Sequence, residues 1–510
     1  MRAPASSWLP RKRSMRSMSF SGLRHRAEGG TAYDAAPLSA CSMGVAALAR
    51  LRHARRLAVS ATLSLLLAFC GTVVPLGQPS ALADVRKADV VMGQTVDSRG
   101  LAVAQCPNIA AEYVLVCDDA GTVYFERNAQ EKTAIASITK VMTAIVALEN
   151  APLDTKVTVS SRAARIGESS AELQEGDVMT LEAALKALMI PSGNDAAQAI
   201  AETVGGLMNT DGQDGYATFV QAMNDKAAEL GMTDSVFENP HGLDFGTYAG
   251  NLHSTAHDVS LMCAHAMRNE TFRQLVNVDA ATIEVVRNGV AASVSLESTD
   301  KLLGVYEGAC GIKTGLTDLA GPSFAGACER EGKTLFAVVI HSSSEERRFE
   351  DATTLFDWVY EHEIVYPLAH SKETATMTVD GQTRSVPVVA EVAHAGWVDA
   401  TVKVTFADPD ASVQVFDLNG NVSQTLTFEN LEGNVRVGDK VGTATFKQRN
   451  NVIATVDLVA CEDQAAPNFF EGIGVFWDRL FRGFSGAQTV AQSVTLNETP
   501  LINDKSAGGA

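Results

Sequence analysis

The chain has 510 residues, 46% of them hydrophobic, and carries 41 Lys+Arg against 60 Asp+Glu for a formal charge of -19. It is too long for one ordinary domain, apolar enough to bury a sizeable core, and too acidic for nucleic acid to be a partner. The charge is unevenly spread, because residues 1–83 hold 11 Lys+Arg against 2 Asp+Glu.

That basic start runs through Arg50, Arg52, Arg55 and Arg56 into an uncharged stretch, 57–76, followed by Ala81-Leu82-Ala83 before Asp84. A basic region, an apolar region and a small-residue cleavage site make a secretory leader, with translation starting at Met1 or at Met43. The apolar stretch exceeds the ~7 to 15 residues usual for a leader, so an uncleaved membrane anchor stays open. Both readings export the rest. Cys70 follows Phe69 rather than a small residue, which argues against a lipid-modified cysteine.

Beyond the leader, alternation of Tyr113, Leu115 and Cys117, the turn Asp118-Asp119-Ala120-Gly121, then Val123 and Phe125 predict a hairpin over 112–127. Ala136-Ser137-Ile138-Thr139-Lys140-Val141 then opens the uncharged run 141–148 and places a serine at the start of a buried helix. Three residues apart on a helix, Ser137 and Lys140 share one face, so the amine can take the hydroxyl proton without any histidine. Taken alone, the pair also fits a solvated lysine one turn after an N-cap serine.

The pattern stays mostly helical to about 265. A helix over 181–190 is stopped by Pro191, and Ser192-Gly193-Asn194 lies in the turn before the next, 195–204. After a helix over 255–269, strands are expected at 310–316, 323–328 and 334–341, then a helix over 345–361. Helices bracketed by an antiparallel sheet make an α+β unit over 100–366.

Over 374–462 the texture changes to short alternating strands, such as 402–406, 413–416 and 443–446, which reads as a small all-β domain. The stretch 467–485 places Phe469, Ile473, Phe476, Trp477, Leu480 and Phe484 at helical spacing, with Glu471, Asp478, Arg479 and Arg482 outside that set. This is the pattern of an amphipathic helix lying in a membrane surface, or of one packed on the β domain. Residues 486–510 are polar without periodicity and are expected to be disordered.

Lys313-Thr314-Gly315 completes an ordered series, S-x-x-K, S-x-N, K-T-G, which is the set of penicillin-binding proteins and class A β-lactamases with Gly193 in place of aspartate. Further matching stretches are Asn239-Pro240-His241-Gly242-Leu243-Asp244, Ser254-Thr255-Ala256-His257-Asp258, and Gly311-Ile312 before the third motif with Thr317-Asp318 after it. On these residues the chain, over roughly 100–485, resembles the low-molecular-mass penicillin-binding proteins, the serine-type D-alanyl-D-alanine carboxypeptidases. It differs at Gly321-Pro322-Ser323, where relatives usually carry an aromatic and then a polar residue after the glycine.

The resemblance implies a β-lactamase/transpeptidase-like α+β domain, a small all-β domain and a C-terminal amphipathic helix. It implies an exported enzyme, peripheral on the outer face of the cytoplasmic membrane through 467–485, that trims the terminal D-alanine of peptidoglycan stem pentapeptides and is inhibited by β-lactams. No cofactor and no metal are implied. Ser137 is then the nucleophile, Lys140 its base, and Ser192 the relay of a proton to the departing D-alanine. Asn194 would hydrogen-bond the substrate backbone, Lys313 and Thr314 would meet the terminal carboxylate, and Gly315 would let the substrate lie close. The oxyanion would sit between the N–H groups of Ser137 and Leu316. Arg348 matches by position an arginine that binds the substrate carboxylate, though Arg347 is adjacent and a solvated helix charge is the alternative.

Two competing functions remain. A β-lactamase is disfavoured because no E-x-x-L-N stretch lies between Asn194 and Lys313, and a non-catalytic wall-binding module because every catalytic residue type is present. His253, His257, Cys263 and His265 lack an H-E-x-x-H pattern and are set aside as a zinc site. If the strands at 310–316 and 323–328 form a hairpin centred on Leu319, Cys310 and Cys328 lie directly opposed; a disulfide or two buried thiols then fit equally.

Overall fold

A computed structural model describes residues 86–502 except 210, 211, 213 and 380. The leader expected over 1–83 and the last residues of the tail lie outside the described residues.

The centre is an antiparallel sheet of seven strands in the order Gln94–Thr95, Val90–Val91, Val123–Arg127, Tyr113–Asp118, Lys333–Ile340, Ser323–Arg330 and Ala309–Gly315. Its middle strands are covered on both faces, so they read as apolar runs rather than as alternation. Leu115, Cys117, Phe336, Val338 and Ile340 point into a helical core. Their neighbours Val114, Val116, Leu335, Ala337 and Val339 point the other way, against the helix Arg347–His362.

The helical core is assembled around Lys140–Asn150, which is buried from Lys140 through Ala147. Leu181–Met189, Asn194–Met208, Gly215–Glu229 and Ala256–Ala266 pack about it. Ser137 is not in the α-helix itself. It belongs to a 3-10 turn, Ala136–Thr139, and the α-helix begins at Lys140. With three residues per turn, side chains at positions 137 and 140 stand one above the other, so the pairing inferred for an α-helix holds for a tighter reason.

A second sheet was not expected. Lys156–Thr158, Val178–Thr180, Ala280–Arg287 and Val290–Glu297 form four antiparallel strands. Ile283, Val285, Val294 and Leu296 are buried while Glu284 and Glu297 are exposed. The alternation exists, but the intervening Ala, Ser and Thr give it little amplitude.

From Glu363 onward the chain is β-rich, with six strands in the order Val422–Phe428, Lys440–Gln448, Asn451–Ala460, Thr401–Phe406, Ala390–Ala393 and Val494–Thr495. The last of these corrects the expectation of a disordered tail. Asn497 is buried, donates to Leu368 O at 2.9 Å and accepts from His370 N at 2.6 Å, so polar side-chain bonds fasten this segment where periodicity gives no signal. The β region meets the first unit through Phe416, whose ring lies 5.1 Å from Tyr124 and 5.3 Å from Trp358, and through Arg99, which donates to Leu418 O at 2.7 Å.

The helix Phe469–Ser485 starts at the capping box of Asn468 with Glu471 and buries none of its residues. Arg479 donates to Trp397 O at 3.0 Å, and Arg482 Nη1 to Asp399 Oδ1 at 2.8 Å, so two arginines tie its polar side to the β region. Phe469, Phe470, Phe476, Trp477, Phe481 and Phe484 stay exposed. Among the described residues no helix is long and apolar enough to cross a membrane.

Cys310 and Cys328 are not opposed. Ser323, Phe324, Ala325 and Gly326 pair with Gly315, Thr314, Lys313 and Ile312 in the expected register, but the ladder then shifts and Cys328 faces Ala309. The one-residue slip is a β-bulge, which no sequence count of the hairpin reveals. All six cysteines of the described chain are buried free thiols.

Candidate active site

Lys140 Nζ lies 2.6 Å from Ser137 Oγ, 2.7 Å from Asn194 Oδ1 and 2.9 Å from His241 O. Three fixed oxygens hold the amine on the serine. The lysine is fully buried, and that desolvation, followed by the charge of Lys313, drives its pKa well below the ordinary value against the opposing pull of Asp195. A neutral amine at hydrogen-bond distance from a hydroxyl is equipped to take its proton.

The loops that place this pair leave no room for side chains. Gly242, at φ +88, lies so close to the serine turn that a Cβ there would sit 1.9 Å from Ala136 O. Asn239 holds that loop by accepting from Gly242 N at 2.7 Å and donating to Leu243 O at 2.9 Å. Gly193 has the same character: a Cβ would stand 2.5 Å from Asp195 Oδ1 and 2.7 Å from Ala187 O, which accounts for glycine between Ser192 and Asn194 here. Asp195 accepts from Ser170 Oγ at 2.7 Å and from Leu173 N at 3.1 Å, fastening the 167–173 loop over the same turn.

A cavity of about 600 Å³ opens over Ser137, walled by Ser192, Asn194, Thr314, Gly315, Leu316 and Arg348 among others. Seven of the nine residues singled out in the sequence therefore face one space. Lys140 and Lys313 are the exceptions, buried behind the wall. Lys313 donates to Thr314 O at 3.1 Å, and burial followed by the neighbouring Arg348 lowers its pKa to about 7. Asn194 is engaged on both sides, because its Oδ1 bonds Lys140 and its Nδ2 donates to Gly167 O at 3.0 Å.

The two adjacent arginines separate cleanly. Arg348 is buried in the cavity wall, donating to Gly315 O at 3.1 Å and to Glu345 at 3.1 Å. Arg347 turns away to Asp351 at 2.8 Å and Asn108 O at 2.8 Å. The histidines set aside as a metal site have separate partners: His253 Nδ1 lies 2.6 Å from Asn251 O, and His265 Nε2 lies 2.9 Å from Glu149.

A family model described as D-alanyl-D-alanine carboxypeptidase matches residues 101–344. The D-alanyl-D-alanine carboxypeptidase of Streptomyces sp. (strain K15) is 32% identical over 47% of this chain and 82% of that protein, and DacB2 of Mycobacterium tuberculosis is 33% identical over 49% and 83%. The chain belongs to the serine-type D-alanyl-D-alanine carboxypeptidase family. DacF of Bacillus subtilis, a D-alanyl-D-alanine carboxypeptidase, is 27% identical but extends over 72% of this chain and 90% of its own length, so the likeness continues into the β region.

Within this carboxypeptidase several site residues escaped the sequence reading. His241 supplies a backbone oxygen to Lys140, Thr299 Oγ1 lies 2.7 Å from Thr314 Oγ1, and Asp244 accepts from Thr317 Oγ1 at 2.7 Å. Two of them, His241 and Asp244, lie in the quoted stretch 239–244, but a backbone carbonyl leaves no side-chain signature. At the Gly321-Pro322-Ser323 departure the strand still begins at Ser323, whose hydroxyl donates to Ala320 O at 3.0 Å inside the turn.

Proposed function

We propose that this carboxypeptidase removes the terminal D-alanine from peptidoglycan pentapeptide stems through an acyl-enzyme on Ser137, and that penicillin acylates the same serine. The observation that carries this reading is the buried Lys140 amine 2.6 Å from Ser137 Oγ. Ser137 Oγ attacks the carbonyl between the two D-alanines and passes its proton to Lys140. The oxyanion is held by the N–H groups of Ser137 and Leu316. Collapse breaks the C–N bond, and Ser192 relays the proton from Lys140 to the departing amine. Water then attacks the ester, returning its proton along the same route and freeing Ser137.

Thr314 and Arg348, both in the cavity wall, meet the terminal carboxylate, with Lys313 supplying positive potential from behind Thr314. Asn194 keeps Lys140 on Ser137 and retains one N–H for the substrate backbone. The enzyme works after export, at the outer face of the cytoplasmic membrane, with the exposed aromatic face of Phe469–Ser485 sunk into the lipid surface.

Intact mass after penicillin exposure, together with D-alanine release from a pentapeptide, tests the reaction. The expected result is a persistent single adduct and D-alanine release, both lost in Ser137→Ala. Rapid adduct loss would make the protein a β-lactamase, and an adduct retained by Ser137→Ala would overturn the assignment of the nucleophile.

A further inference from the structure

The site buries three basic side chains, and they are not equally provided for. Arg348 has Glu345 as an ion-pair partner, and the field of Asp195 reaches Lys140. Lys313, 1% exposed, has hydrogen-bond partners only in the neutral oxygens of Thr314 among the described residues. An ammonium so placed loses its proton unless a counter-charge acts on it.

Among the described residues, the carboxylate whose charge reaches it belongs to the turn between Val290–Glu297 and Ala309–Gly315. This turn is fixed against the Lys313 strand by the 2.7 Å contact of Thr299 Oγ1 with Thr314 Oγ1, and Thr299 N donates to Ile190 O at 3.2 Å. The next residue, Asp300, is 7% exposed. Its Oδ1 accepts from Leu302 N at 2.9 Å, while Oδ2 is buried without a hydrogen-bond partner among the described residues. Holding the turn needs only Oδ1, a task an asparagine performs equally well. The second, unpaired oxygen adds desolvation cost and contributes nothing to the turn, so what distinguishes aspartate here is its charge.

We propose that Asp300 is a positioning residue for the carboxypeptidase reaction, placing a fixed negative charge behind Lys313 that keeps this lysine protonated for the substrate carboxylate, an inference that rests on the proposed reading of the cleft. The charges reaching Asp300 are those of Lys313, Arg348 and Lys301, and Arg348 is in turn faced by Glu345 and Glu346. Burial raises the Asp300 carboxyl to about 6, and Lys313 stands at about 7 with Asp300 pulling it upward against burial and Arg348. Between those two values both groups carry charge. Above them Lys313 empties, and substrate meets a weaker positive wall.

Asp300→Asn keeps the Leu302 bond and removes the charge. Lysine NMR of labelled protein is expected to find Lys313 titrating about one pH unit lower than in the wild type. The alkaline limb of kcat/KM for D-alanine release is expected to move down equally, with KM at neutral pH raised roughly fivefold and kcat little changed. Asp300→Glu, which retains the charge, is expected to restore the limb. An unchanged Lys313 titration and an unchanged limb in Asp300→Asn would overturn the proposal. If that variant does not fold, the wild-type titration still decides, since Asp300 and Lys313 must each sense the other's inflection and independent curves would overturn it. The NMR readout does not depend on turnover, so a Lys313 shift without peptide cleavage in either protein would overturn the proposed function and leave this electrostatic link standing.

Discussion

The catalytic cleft and the C-terminal helix break the same rule in opposite directions. In the cleft, the basic side chains of Lys140 and Lys313 are buried. On the helix Phe469–Ser485, eight large apolar side chains from Phe469 to Phe484 face outward. Neither arrangement helps the fold. A buried ammonium costs several kcal/mol before compensation, and each exposed aromatic forgoes roughly 1.5 to 3 kcal/mol of burial. Their difference lies in what surrounds them. Lys140 is held by oxygens of Ser137, Asn194 and His241, which suits chemistry that needs one geometry, whereas the helix is tied from behind by Arg479 and Arg482 and leaves its aromatics exposed, which suits a soft, non-directional surface.

The largest effect is expected from changing the lysine that touches the serine. Lys140→Arg places a guanidinium that cannot deprotonate at any accessible pH where a neutral amine is needed, so acylation by penicillin is expected to fall on the order of 10³- to 10⁴-fold. On the proposed mechanism, acylation in the wild type needs Lys140 neutral and Lys313 charged. Since both pKa values are depressed, the rate should rise with pH through the lowered value of Lys140 and fall as Lys313 loses its proton near 7. A stopped-flow pH profile that keeps climbing to the ordinary lysine range would mean that Lys140 is not the base.

A smaller and wholly separate effect is expected on the helix. Phe476→Asp with Trp477→Asp should weaken partition into anionic or zwitterionic vesicles roughly ten- to a hundredfold, while cleavage of a soluble peptide stays unchanged. The arginines of this helix are committed to Trp397 and Asp399, so little dependence on anionic lipid is expected. Co-sedimentation with vesicles checks both points, and undiminished binding of the double variant would assign that face to something other than lipid.

How far each region could be read in advance follows from the same contrast. The candidate cleft was legible because the residues that line or back one cavity come as motifs of side chains at fixed spacing: Ser137 with Lys140, Ser192 with Asn194, and Lys313 through Gly315. The helix was legible because six apolar residues at helical spacing, from Phe469 to Phe484, carry their own periodicity. What stayed hidden depends on backbone rather than side chain, or on weak patterns. The His241 carbonyl on Lys140 has no sequence signature, the bulge that separates Cys310 from Cys328 shifts a register by one residue, and the strands from Ala280 to Glu297 alternate with small polar residues. The tail segment at Val494–Thr495 is held through Asn497, a polar device in a stretch whose polarity read as disorder.

The smallest expected effect separates two neighbouring side chains, of which the sequence pointed to Arg348 by position alone. Arg347 and Arg348 are neighbours on one helix, yet only Arg348 faces the cavity. Arg347 bonds Asp351, a fully buried carboxylate that also accepts from Ala110 N, Ala111 N and Ser342 Oγ. Removing Arg347 leaves those three donors in place, so Arg347→Ala should cost only about 1 kcal/mol of stability and leave KM and kcat alone. Arg348→Ala should instead raise KM for the peptide roughly tenfold or more, because a guanidinium that meets a carboxylate in a partly closed site is worth more than one bracing a well-satisfied acid. Thermal melting and steady-state kinetics on the two variants give the answer together. A KM change in Arg347→Ala as large as that in Arg348→Ala would mean that the helix as a whole, rather than one side chain, holds the substrate end of the cleft.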